Sequence, residues 1–111
     1  MLIDIEIVGI SDLKNDDFIK TNIKDYSKTV ISEEEVYIIF SYPLSSSIKF
    51  HFKNKGGFSK LDLLRCVYIG YKRIYEKPNF YGVYGHDIDN LLLEEVKYYS
   101  KNNTIILSVG S

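Results

Sequence analysis

Residues 2–7, "LIDIEI", alternate strictly: Ile3, Ile5 and Ile7 fall on one side, Leu2, Asp4 and Glu6 on the other. That two-residue period predicts a half-buried strand, with Gly9 placed to end it. Residues 11–32 are polar and poorly periodic. Leu13, Phe18, Ile19 and Ile23 could anchor a short second helix within 11–27, capped by Ser11 or Asp12; the alternative is a long loop, which compact domains seldom contain. "EVYIIFSYP" predicts a strand with Val36, Ile38, Phe40 and Tyr42 on one face and Tyr37 and Ile39 on the other. Apolar residues on both faces point to a central strand or to an interface. After the turn residues of "LSSS", "SIKFHFKNK" gives a third strand, with Ile48, Phe50 and Phe52 inward and Lys49, His51 and Lys53 outward. The two form an antiparallel hairpin in this reading.

The clearest element starts at Ser59. Serine is a good helix N-cap, Asp62 stands where a capping box wants an acid, and Phe58 can staple onto Leu63. At about 100° per residue, Leu61, Leu63, Leu64, Val67, Tyr68, Tyr71, Ile74 and Tyr75 share one apolar arc, and Arg65, Lys72, Arg73 and Lys77 fall outside it. Gly70, near the edge of that arc, offers a place for a strand to approach closely, and Pro78 stops the helix. "NLLLEEVKYYS" and "TIILSVG" predict a closing hairpin around Lys101–Asn103. Strands grouped around one long helix predict a single α+β domain over 1–111: an antiparallel sheet of about five strands packed against that helix.

Composition supports an ordinary globular domain: 111 residues, 45% hydrophobic and 26% charged. No apolar run approaches the roughly 20 residues a membrane span needs, and "MLIDIEIVGI" has no basic residue, unlike a secretory signal. The expectation is a soluble, intracellular, cytoplasmic protein without membrane contact. One cysteine, Cys66, excludes an internal disulfide and a thiolate zinc cage. It falls opposite the helix's apolar arc, where nothing local marks an activated nucleophile. Charge is uneven. Residues 1–46 carry four lysines against nine acids, whereas residues 47–77 carry eight Lys or Arg against two acids.

Candidate chemistry concentrates in "YGVYGHDIDN", residues 81–90. His86, Asp87 and Asp89 are the weak catalytic candidates, since histidine titrates near neutrality and carboxylates orient it or share a cation with it. Their partners are scarce. His51 is the only other histidine, and HxxxH, HExxH, GxSxG and phosphate-loop patterns are absent. A structural reading covers more of the segment: glycines for the turn, aspartates accepting bonds from loop amides, Phe80, Tyr81, Val83 and Tyr84 plugging the sheet's end, and His86 bridging loop and sheet. No metal site and no cofactor are expected.

"GFSKLDLL…YKRIYE", then "YGVYGHDIDNLLLEEV" and a closing "LSVGS", resemble small uncharacterised proteins encoded by giant DNA viruses and some eukaryotic microbes. The resemblance covers residues 57–111 and implies a viral or microbial intracellular protein, with no substrate and no catalytic residue.

Three functions follow from the residues. The first is a non-enzymatic interaction or structural protein that self-associates, as a homodimer, through a sheet face carrying Tyr37, Ile39 and Tyr98 with Leu92 and Val96, or in the other phase of that strand Leu91, Leu93 and Tyr99; a second helix over 12–26 could instead cover that face. The second is nucleic-acid or other anion binding through residues 47–77, with Lys49, Lys53, Arg65, Lys72 and Arg73 as contacts. The third is a metal-assisted enzyme built on His86, Asp87 and Asp89. The residues lean away from an enzyme and toward self-association.

Overall fold

A computed structural model describes all residues, 1–111. Its elements in chain order are β1 (Leu2–Ile3), β2 (Val8–Gly9), a 3-10 turn (Ile10–Lys14), α1 (Asp16–Asn22), β3 (Thr29–Ile31), β4 (Glu35–Phe40), β5 (Ile48–Lys53), β6 (Phe58–Ser59), α2 (Lys60–Glu76), α3 (Pro78–Tyr81), β7 (Leu92–Tyr99) and β8 (Thr104–Gly110). The class is α+β, as the pattern predicts. The main sheet runs β1-β7-β8-β4-β5, with β2 also paired to β7. Both expected hairpins form, β4–β5 and β7–β8. One pairing departs from an all-antiparallel sheet: β8 lies parallel to β4, Ile38 opposite Ile105. The long helix between the hairpins is the crossover that lets two antiparallel pairs meet side by side in this way.

The helix α2 forms where its signals lie. Ser59 Oγ accepts from the Asp62 amide at 3.1 Å, and the Asp62 carboxylate accepts from the Ser59 amide at 2.9 Å. Leu63, Leu64, Val67, Tyr71 and Ile74 are buried against the sheet's inner face, with Val36, Ile38, Phe40, Leu93, Val96, Ile105 and Leu107. Gly70 makes the closest approach. A Cβ there would stand 2.1 Å from the Phe40 ring, so only glycine lets the ring lie against the helix. Phe40 also meets Tyr71 edge-on at 5.1 Å, and the Tyr71 hydroxyl, its pKa pushed up by burial, donates to the Tyr42 carbonyl at 2.7 Å.

The first expected strand is shorter than its alternation implies. Between Ile3 and Val8 the chain advances five residues while β7 advances three, from Val96 to Leu93. The surplus loops out, so Ile7 is exposed and Val8 takes the buried position. A second irregularity lies in β7 itself, between Leu93 and Glu95. It puts Leu93, Val96 and Tyr98 all inward, although Leu93 and Val96 are an odd number of residues apart. A bulge adds one residue and reverses the alternation beyond it.

A second helix does form in the polar first third, and Asn15 rather than Ser11 or Asp12 caps it, accepting from the Asp17 amide at 2.9 Å. With the preceding 3-10 turn it packs beside α2 and contributes Ile10, Leu13 and Ile19 to the same core. Asp16 is tied to Arg65 of α2 by two hydrogen bonds, one of 2.9 Å to Nε. These bonds hold the Asp16 carboxyl below its ordinary range. The small β3–β6 pair, which the sequence did not announce, closes the core's other end with Ile31 and Phe58 buried. No helix is long and apolar enough to cross a membrane.

Candidate functional site

All helical segments that join the core reach it from one side, so the other side of the main sheet has no covering layer. Alternation along the strands and the strand registers define what stands there. One row across the sheet runs His51, Tyr37, Thr104, Tyr99, and the next runs Lys49, Ile39, Ile106, Lys97, Leu2. Ile106 sits at the centre, 41% exposed, with Leu2 and Tyr99 more exposed still at 57% and 44%. Tyr37 and Ile39 are half-buried by their neighbours. Tyr37 stacks on His51 with ring centroids 4.6 Å apart, and the Lys49 ammonium stands 5.1 Å from the Tyr37 ring centre. His51 Nε2 lies 2.9 Å from a Glu35 carboxylate oxygen, which is also 3.9 Å from Lys53. The face is therefore an apolar centre with tyrosines at one end and charged flanks.

Two of the three expected interface residues, Tyr37 and Ile39, lie on this face. Tyr98 does not. It points into the core, 7% exposed, and its hydroxyl donates to Asn103 Oδ1 at 2.9 Å. The bulge between Leu93 and Glu95 is the reason, since it makes Tyr99 the outward residue. Ile106 is the residue sequence reasoning passed over. Its signal lies in the alternation of "TIILSVG": with Ile105, Leu107 and Val109 on the inward face, the isoleucine between the first two faces out.

The loop 81–90 separates its three candidates. His86 bridges to the sheet: Nε2 lies 3.1 Å from the Tyr42 hydroxyl and Nδ1 3.0 Å from the Ser111 hydroxyl, and those two hydroxyls are 2.7 Å apart. Tyr75 donates to the His86 carbonyl at 2.9 Å; burial first, and the Asp87 charge second, raise its pKa. Asp89 instead accepts from Ser11 at 2.5 Å, holding the loop to the 3-10 turn. The Asp87 side chain has no hydrogen-bond partner, so neither aspartate accepts from a loop amide as expected. No group of three metal-ligating side chains comes together anywhere. Tyr81 packs edge-on to Phe50 at 6.0 Å and Val83 bridges to Leu44, whereas Phe80 and Tyr84 stay exposed instead of plugging the sheet's end.

The five candidate anion contacts do not share a surface. Lys49 and Lys53 stand on the open sheet face; Arg65 and Lys72 are on α2, across the sheet. Arg65 is committed to Asp16 and lies 4.0 Å from Asp62. Arg73 lies over the Phe50 ring at 4.7 Å. Cys66 is half-buried rather than facing solvent, and burial, with the Asp62 charge next, pushes its thiol up to about 12. A thiol so raised is a poor nucleophile.

In comparisons with family models, curated proteins and solved structures, nothing matches this chain.

Proposed function

We propose that this protein acts by self-association, two copies meeting through the open face of the main sheet. The observation that carries the reading is the adjacent pair Ile39 and Ile106, with Leu2 beyond Lys97 in the same row and Tyr37 and Tyr99 in the next, on a face that no helix of the same chain reaches. Water-exposed apolar patches mark contacts, and tyrosine suits them, being large, fairly rigid and amphipathic. Both flanks carry both signs: Lys49, Lys53 and Glu35 on β4 and β5, Lys97 and Glu95 on β7. A two-fold axis along the strands lays one flank over the other, and neither repels its image as a single-sign edge would.

Four strands about 4.8 Å apart and about 20 Å long, with the two-residue β1 at their edge, present roughly 400 Å² in projection. Stable complexes bury about 800 Å² per partner. The pair is accordingly reversible and concentration-dependent. The reading is non-enzymatic, and we propose it for an intracellular protein akin to the small viral and microbial proteins that residues 57–111 resemble.

The test combines an apolar dye with a mass measurement. Dye fluorescence that falls as the protein is concentrated, while the average mass rises, supports the reading. A protein that stays monomeric at high concentration and binds no dye contradicts it.

A further inference from the structure

A cleft of about 310 Å³ opens between β1 and the 25–30 segment, and it is lined by Ile3, Asp4, Asp25, Lys28, Val30 and Lys60 among others. It lies at the β1 edge of the main sheet, and Leu2 of the open face forms part of its rim. Its most unusual member is Lys60, the first residue of α2, which is only 6% exposed. The start of α2 clamps the preceding loop: the Lys60 amide donates to the Lys28 carbonyl at 3.2 Å and the Leu61 amide to the Tyr26 carbonyl at 2.9 Å. The Lys60 ammonium donates to the Lys24 carbonyl at 3.1 Å. That carbonyl is its one partner. An ammonium carries three donors, and a partly buried charge loses hydration that a counter-charge would replace.

The surrounding charges do not supply one. Asp4, Asp25, Lys28 and Lys60 line one cleft, two acids and two bases, yet none of them forms an ion pair with another. Asp25 is also held at φ 57°, the left-handed region that aspartate tolerates better than most residues. We propose that this cleft binds a small zwitterion, a free α-amino acid with an aliphatic side chain. Its carboxylate meets the Lys60 and Lys28 ammoniums, its ammonium meets Asp4 and Asp25, and its side chain lies against Ile3 and Val30. A phosphate would satisfy the lysines but face two carboxylates, and a cation would reverse the problem. The volume is at the lower end of the roughly 300–1,000 Å³ of small-molecule sites, which suits a ligand of amino-acid size.

The experiment is a titration of ¹⁵N-labelled protein with L-leucine, N-acetyl-L-leucine, L-leucinamide and inorganic phosphate. The expected result is saturable shifts with L-leucine at the Ile3, Asp4, Asp25, Lys28 and Lys60 amides. Binding weakens at least about tenfold, or about 1.4 kcal/mol, for each blocked analogue, and likewise for L-leucine with the Lys28→Met and Asp25→Asn variants. Both substitutions sit at exposed positions, and asparagine tolerates the left-handed backbone at 25, so the fold is kept where Lys60→Met endangers it. Three results would each overturn the proposal: no saturable shift with L-leucine, equal binding of a blocked analogue, or phosphate binding as tightly as L-leucine.

Discussion

The two faces of the main sheet are made by the same strands and meet opposite fates. On β4, Val36, Ile38 and Phe40 are fully buried, while Tyr37 and Ile39, their immediate neighbours, are only half-covered. On β8, Ile105 is fully buried and Ile106 is 41% exposed. Strand propensity does not distinguish these residues, since β-branched and aromatic side chains occupy both faces. What separates them is the supply of covering helices. α2, α1 and the 3-10 turn all pack on the inner side, and the outer side receives none. The proposed self-association would cover the apolar side chains that their own chain leaves open.

The largest expected contrast is energetic. Phe40→Ala removes a ring packed against Tyr71, Phe50 and Gly70 and should cost about 3–5 kcal/mol in urea unfolding of the monomer. Ile39→Ala, one residue away, should cost less than about 1.5 kcal/mol at a concentration where copies do not associate. Equal costs would show that the outer face is also packed. Next in size, Gly70→Ala drives a Cβ into the Phe40 ring and should cost about 1–3 kcal/mol. In a Phe40→Leu background the added cost should shrink, because the ring that clashes is gone. An unchanged cost would place the close contact elsewhere.

Smaller effects test regions beside the sheet. His86→Ala removes the links to Tyr42 and Ser111 and should cost about 1 kcal/mol, with faster amide exchange confined to residues near 81–90. Global unfolding would make the histidine a core determinant instead. Asp16→Asn should have the least effect. The carboxyl is held below its ordinary value chiefly by its hydrogen bonds to Arg65, so its stabilisation is present above the unfolded pKa, near 3.8, and is lost as pH falls through the lower folded value. Stability curves of the two proteins should therefore differ by a constant amount above about pH 5 and converge in acid. A gap that widens in acid would contradict that sign.

Much of this was legible in the chain, for identifiable reasons. α2 was readable because Ser59, Asp62, the apolar arc and Pro78 agree at every level. Even the close approach at Gly70 follows from its place beside the arc. The outward positions of Tyr37, Ile39, Lys49 and Lys53 follow from regular alternation on unbulged strands. Tyr98 was misplaced because a bulge leaves no mark in the hydrophobic pattern, and "LLLEEVKYYS" reads equally well in either phase. Ile7 failed for the same reason, since two looped-out residues break a period that looks unbroken in sequence. The parallel meeting of β4 and β8 depends on which strand edge each hairpin presents, and no local signal carries that. The cleft around Lys60 was invisible because its members come from residues 1–4, 25–30 and 60, and one helix-start lysine gives no hint that it is buried.

The measurement closest to the central claim is sedimentation velocity of the wild-type protein and of Ile106→Asp over a wide concentration range. The account predicts a wild-type sedimentation coefficient that rises with concentration from monomer toward dimer, and an Ile106→Asp protein that stays folded by circular dichroism and monomeric throughout. A wild-type protein that remains monomeric at every concentration, or a dimer that Ile106→Asp leaves intact, would contradict it.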